Sequence, residues 1–136
     1  SLMMLYVDVF KHCNDHYGHL AGEACLKCLA LTLAQTGGRR DGDVVARFGG
    51  EEFVVLLPGA DAPAAREVAQ HIQQAIQALA LPHEGAPHGI VTVSFGVATM
   101  APQREQLAEE LVRRADRAMY RAKQGGRNRI EQAPEP

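Results

Sequence analysis

The sequence predicts one domain of mixed α/β (α+β) class: a ferredoxin-like βαββαβ core followed by an extra helix and a short strand. Three observations predict it. Leu2–Val9 is a nearly unbroken apolar run, as a strand buried on both faces would be. Two short β-prone segments, 43–48 and 52–57, flank Gly49-Gly50 and read as a hairpin. Apolar residues recurring every three or four positions mark helices between and after the strands, which gives the split βαβ order.

The elements follow in order. The first strand ends at the acid Asp8. A helical stretch starts near Phe10 and breaks around Tyr17-Gly18-His19. Its second part, Ala21 to Gln35, places Leu26, Leu29, Ala30 and Leu33 on one face, and Gly37-Gly38 stops it. After the hairpin, Pro58-Gly59 ends the strand. Asp61 caps a helix with Pro63 in its first turn and Val68, Ile72, Ile76 and Leu79 as its apolar stripe. Residues 81–89 are a loop. Ile90 to Ala98 alternates as a strand, with Val91, Val93, Phe95 and Val97 on one face and Thr92, Ser94 and Gly96 on the other. The last helix runs from about Glu105 to Gln124 with Leu107, Leu111, Ala115, Ala118 and Ala122 inward, and Gly125-Gly126 stops it. Arg127 to Ile130 adds a short edge strand, and residues 132–136 form a disordered tail.

At 136 residues the chain suits one core. A net charge of −2 argues against nucleic acid and acidic membrane as partners, so a phosphate ligand needs a local site. No apolar run reaches the roughly 20 residues that span a bilayer, and the expected location is cytoplasmic. Cys13, Cys25 and Cys28 are too few and too odd for a disulfide scaffold; Cys25-x-x-Cys28 lies in a helical pattern and reads as packing rather than as a redox or zinc site. His12, His16 and His19 share one segment, where a zinc or nickel site competes with surface residues around a pocket. His83 and His88 carry no signal, and Ser94 has no triad context.

The stretch Arg47-Phe-Gly-Gly-Glu-Glu-Phe53 is the most informative. Glycines at a hairpin tip permit φ > 0 and leave room for a phosphate chain near the backbone. Glu51 and Glu52 point to opposite faces of a strand, so one can reach a metal. Upstream stands Phe10-Lys11-His-Cys-Asn14-Asp15-His-Tyr-Gly18-His19; downstream stands Arg114-Ala-Asp116-Arg-Ala-Met-Tyr120-Arg-Ala-Lys123-Gln-Gly-Gly-Arg127-Asn128. Together these resemble the GGDEF family of diguanylate cyclases, in its GGEEF variant, over nearly the whole chain.

The resemblance implies a fold related to the nucleotidyl cyclase palm and a set of roles. Glu51 and Glu52 are the catalytic acids, with Glu51 and Asp8 toward metal. Gly49 and Gly50 lie beside the phosphates of GTP. Asn14 reads guanine, as does Glu23 where the family has Asp. Lys11, Lys123 and Arg127 hold phosphates, and Arg40 and Asp43 form an R-x-x-D product-inhibition site whose auxiliary arginine falls at His71. It implies Mg²⁺ as cofactor, and a homodimer in which each GTP attacks the other to give cyclic di-GMP and two pyrophosphates. Residues 1–131 are then an N-terminally truncated GGDEF domain, with a sensor domain upstream in the full-length protein.

One departure stands out. The family's D-x-D-x-F-K is here Tyr6-Val-Asp8-Val-Phe10-Lys11, so the first metal acid is Tyr6. A phenol with pKa near 10 is a poor Mg²⁺ ligand. Losing one of two carboxylates costs on the order of a thousandfold in rate. Tyr6 and Asp8, two apart on a strand, share a face about 6.6 Å apart, which lets Asp8 reach in partly. Two functions therefore stand: a diguanylate cyclase, or a catalytically degenerate module that binds GTP or cyclic di-GMP as a receptor.

Overall fold

The computed structural model describes residues 1–134. Nine elements follow one another: β1 (Leu2–Val7), α1 (Phe10–Tyr17), α2 (His19–Gly37), β2 (Val44–Arg47), β3 (Glu52–Leu56), α3 (Ala62–Leu79), β4 (Val93–Ala98), α4 (Ala108–Gln124) and β5 (Ile130–Gln132). The sheet order is β2-β3-β1-β4-β5. β1 is antiparallel to both β3 and β4, and β5 adds in parallel beside β4. The first four strands thus have the ferredoxin-like order that the sequence predicts.

Side-chain alternation along β1 explains its unbroken apolar run. Met3, Leu5 and Val7 join a large core with α2 and α3, while Leu2 and Met4 join a smaller core with α4. β4 is likewise buried throughout. Its polar or small face, Ser94-x-Gly96-x-Ala98, is where α4 lies: a Cβ on Gly96 would collide with the Ala115 carbonyl oxygen and the Met119 backbone. Small residues there let the helix backbone approach the sheet.

Several boundaries move. β4 begins at Val93, because residues 90–92 leave the sheet and only Ile90 keeps an isolated bridge to Pro82. α3 buries Ala65, Ala69, Ile72 and Ile76; Val68 is half-buried and Leu79 exposed, so the stripe is turned toward its alanines. α4 starts at Ala108, with Leu107 as its cap and 61% exposed instead of inward. Arg127 and Asn128 form a left-handed turn instead of a strand, which moves the edge strand on to Ile130–Gln132. Gln132 pairs with Val97 and the Ala133 N–H bonds the Val97 carbonyl, so order extends past Glu131 into the expected tail. Glu135 and Pro136 lie outside the described residues. Asp61 caps α3 as expected, accepting the Ala64 N–H at 2.9 Å.

Candidate functional site

The ends of β1 and α4, the start of α1 and α2, and the β2–β3 hairpin meet at one edge of the sheet. A groove of about 350 Å³ opens there, lined by Phe10, Lys11, Asn14, His19, Glu23, Arg47, Gly50 and Glu51. Five of the predicted site residues are among them. Asn14 sits on α1, held near α2 because Gly22 has no side chain: a Cβ there would collide with Asn14 Oδ1. That Oδ1 is buried without a hydrogen-bond partner in the chain. A buried amide oxygen left unpaired costs stability unless a ligand meets it.

Arg47 is a site residue that the sequence quoted but gave no role. Its guanidinium donates to the Gly49 and Gly50 carbonyls, the closest at 2.6 Å, and lies 3.7 Å from Glu23. It fixes the tip and holds the Glu23 carboxylate in the groove. The tip glycines do not use positive φ. What they contribute is bare space, since a Cβ on Gly50 would meet nothing within 4 Å. Glu52 opens β3 opposite Tyr6, whereas Glu51 lies in the turn before it and bonds β1 through its carbonyl (Val7 N–H, 3.0 Å).

Tyr6 is central. Burial first, and then the negative Glu51 and Asp8 carboxylates near it, raise the phenol above its ordinary value, so it stays protonated. Lys123 Nζ lies 3.4 Å from the centroid of the Tyr6 ring, a cation–π contact. Arg127 also acts on the phenol, from outside α4 rather than one helical turn beyond Lys123, because the helix ends at Gln124. Lys123 and Arg127 therefore converge at Tyr6, beside Glu51.

Asp8 goes elsewhere. β1 ends at Val7, and Val9 takes a left-handed conformation at φ 48°, so Asp8 does not continue the strand face of Tyr6. Asp8 is 1% exposed. Its carboxylate accepts from Thr92 Oγ1 at 2.8 Å, Ser94 Oγ at 2.6 Å and the Asn128 N–H at 3.0 Å. These three donors engage both oxygens, and Asp8 is not among the residues that line the groove. The donor set does not fit a paired-magnesium centre: Glu51 is the one carboxylate of the expected pair left facing the groove, and Tyr6 stands in the other place. Among the described residues, no cluster of three or more His, Cys, Asp or Glu is placed to hold a metal. That includes His12, His16 and His19; His16 lies 3.1 Å from Glu84 and His19 lines the groove.

His83, in the loop that carried no signal, is fully buried, and its Nε2 lies 3.0 Å from the Val9 carbonyl. It pins the strained turn that starts α1. Gln73 and Gln77 hold Asn128 from α3 (3.2 and 2.8 Å). No spacing in the sequence links these residues to the site.

Arg40 and Asp43 lie apart from the groove, in a second cavity of about 350 Å³ lined also by Arg39, Glu67 and His71. The Arg40 N–H donates to Asp43 Oδ2 at 3.0 Å and its guanidinium to the Pro58 carbonyl at 2.8 Å. Asp43 Oδ1 is buried and has no hydrogen-bond partner. The cysteines are all free; Cys13 and Cys25 line an apolar cavity of about 310 Å³, and burial pushes the Cys25 thiol up to about 11.

The family model for the diguanylate cyclase GGDEF domain matches residues 1–129. The chain is 42% identical over 132 residues to the diguanylate cyclase DgcP of Pseudomonas aeruginosa, covering 97% of this chain and 19% of DgcP. It is 42% identical over 130 residues to DgcM of Escherichia coli, covering 96% and 30%. It thus spans a third or less of the length of these relatives. Among solved structures, the GGDEF domain of DgcB from Caulobacter crescentus, in complex with c-di-GMP, superposes with a TM-score of 0.85 at 30% identity, covering 97% of this chain and 76% of that one. The active GGEEF domain of a Vibrio cholerae diguanylate cyclase gives 0.82 at 28%, covering 99% and 83%.

Proposed function

We propose, because this chain belongs to the diguanylate cyclase GGDEF-domain family, that its groove takes GTP and that two copies face each other to condense two GTP into cyclic di-GMP, with turnover held down by Tyr6. The observation that carries this is the convergence of Lys11, Asn14, Glu23, Gly50 and Glu51 on one groove, with the Asn14 oxygen buried and unpaired. Guanine supplies N–H donors of the kind that oxygen lacks, and Glu23 offers a carboxylate to the same edge. Lys11, Lys123 and Arg127 neutralise the phosphates.

In the condensation, the 3′-oxygen of each GTP forms a bond to the α-phosphorus of the other. The bonds to the two pyrophosphates break, and the proton of each hydroxyl passes to solvent. Each protomer holds one GTP, so a homodimer is required. Glu51 and Glu52 stand at the reacting end, Gly49 and Gly50 leave space there, and Arg47 keeps the tip in position. Mg²⁺ is the cofactor expected of the family, and only Glu51 is left to meet it. Arg40 and Asp43 are the proposed binding site for the product, with His71 in their cavity. A sensor domain upstream would supply the input.

A second reading, a receptor that binds GTP or cyclic di-GMP without turnover, is favoured by one observation: Tyr6 and the hydrogen-bonded, buried Asp8 leave Glu51 as the single groove carboxylate of the expected metal pair. The test is cyclic di-GMP production from GTP and MgCl₂ by this chain and its Tyr6→Asp variant at high protein concentration. Slow product from the unaltered chain supports the cyclase. Product from the variant alone assigns the receptor role, and product from neither, with GTP still bound, does the same.

A further inference from the structure

The absence of a second carboxylate changes what the site needs in order to hold a triphosphate. In a site with two acids, the nucleotide and the carboxylates repel each other, and a divalent cation must lie between them. Here the second acid is a neutral phenol, and Asp8 is satisfied by three donors away from the groove. Glu23 is paired with Arg47. The cations left for the phosphates are Lys11, Lys123 and Arg127, and of the expected metal-binding pair Glu51 alone faces them, beside the Tyr6 phenol. Lys123 is fixed in space, because its ammonium rests 3.4 Å from the ring centroid. A lysine held this way loses less side-chain entropy when it meets a ligand than a free one does. It also keeps outward N–H donors, because the ring takes only one side of the ammonium.

We propose that this chain binds nucleoside triphosphate without a divalent metal, with Lys123, seated on the Tyr6 ring, in the place where a metal ion would bridge acid and phosphate. The inference rests on the groove being the GTP site. It assigns Tyr6 a positive role: the residue that removes a metal ligand also builds the seat for the replacing cation.

The experiment is calorimetric titration of the chain with GTP in excess MgCl₂ and in excess EDTA, with circular dichroism to confirm folding. Dissociation constants within about threefold of each other are expected, a difference well under the 1.4 kcal/mol of a tenfold change. Tyr6→Asp restores the second acid and should make binding at least about tenfold weaker in EDTA than in MgCl₂. Tyr6→Phe keeps the ring and should stay metal-independent, whereas Tyr6→Leu, which keeps the volume but removes the ring face, should weaken GTP about fivefold in both buffers. Lys123→Ala should weaken it about tenfold in both. Binding by the unaltered chain that falls tenfold or more in EDTA overturns the inference and leaves the GTP site standing. A folded chain that binds GTP in neither buffer overturns the site itself.

Discussion

Replacing Asp8 by alanine separates two roles that one carboxylate could play. In the structure it accepts three hydrogen bonds at a position 1% exposed. Removing it leaves the Thr92 and Ser94 hydroxyls and the Asn128 N–H without their acceptor. The hydroxyls rotate and recover part of the loss, about 1 kcal/mol each; the amide cannot turn, and a buried unpaired donor costs about 2. The turn through Arg127 and Asn128, at φ 64° and 47°, also loses its tie to the residue that follows β1. The expected loss is about 4 kcal/mol, a large part of the 5–15 kcal/mol that hold such a domain together. Urea unfolding followed by far-ultraviolet circular dichroism measures it. Asp8→Asn should fall between, because one amide oxygen still accepts while the NH₂ faces donors. A loss below about 1 kcal/mol, together with a thermal midpoint that MgCl₂ raises in the parent but not in the variant, would show that Asp8 is a metal ligand and that the buried cluster is not what holds it.

Three further outcomes follow from packing and burial. Gly96→Ala drives a Cβ into the backbone of α4 at Ala115 and Met119 and should cost more than about 3 kcal/mol in the same urea assay; under 1 would mean that α4 is not seated on β4. Gly22→Ala collides with Asn14 Oδ1, the end of a movable side chain, so stability should change little while the preference for GTP over ATP in competition binding drops about tenfold, one hydrogen bond's worth; an unchanged preference would remove Asn14 from guanine recognition. At pH 8 the Cys25 thiol, pushed up to about 11, holds on the order of a hundredfold less thiolate than an ordinary cysteine, so iodoacetamide should label it that much more slowly in the native chain than in urea. Its proton is held in the folded state and released first by the unfolded chain, so stability should fall as pH rises from about 9 toward 11. Equal labelling in both states would refute the burial.

The sequence showed the fold wherever one local pattern has one cause. The run of β1 is apolar because both faces are covered, and the Gly49-Gly50 hairpin follows from two β-prone flanks. It failed where tertiary contacts decide. Three residues of β5 carry no period, and its place is set by pairing with β4 across the left-handed turn. Leu107 fits a helical stripe, yet the helix begins one residue later. Within the site, Lys11, Asn14, Glu23, Gly50 and Glu51 are near in space because each follows a motif on the edge of an element. The role of Asp8 was hidden because it depends on residues 92, 94 and 128, which no spacing joins to residue 8. His83 looked like a loop residue and is a buried support of Val9 for the same reason.

Tyr6 ties this chemistry to stability. The ring packs against the smaller core under α4, formed by Leu2, Met4, Ala98, Ala115 and Met119. Tyr6→Asp, the change that restores the family's acid, therefore removes apolar area from that core and sets a second carboxylate beside Glu51. Loss of a partly buried ring and a new like-charge contact should together cost about 2–3 kcal/mol without metal. Magnesium should then recover part of it in the variant, because only there would two acids bind it and linkage raise the midpoint. The parent, with one carboxylate of the pair, should melt at the same temperature with or without MgCl₂. The comparison is four thermal melts, two proteins in two buffers. A variant as stable as the parent in EDTA would mean that the ring does not support the sheet, and the exchange of an acid for Tyr6 would have no structural gain to set against the weakened metal site.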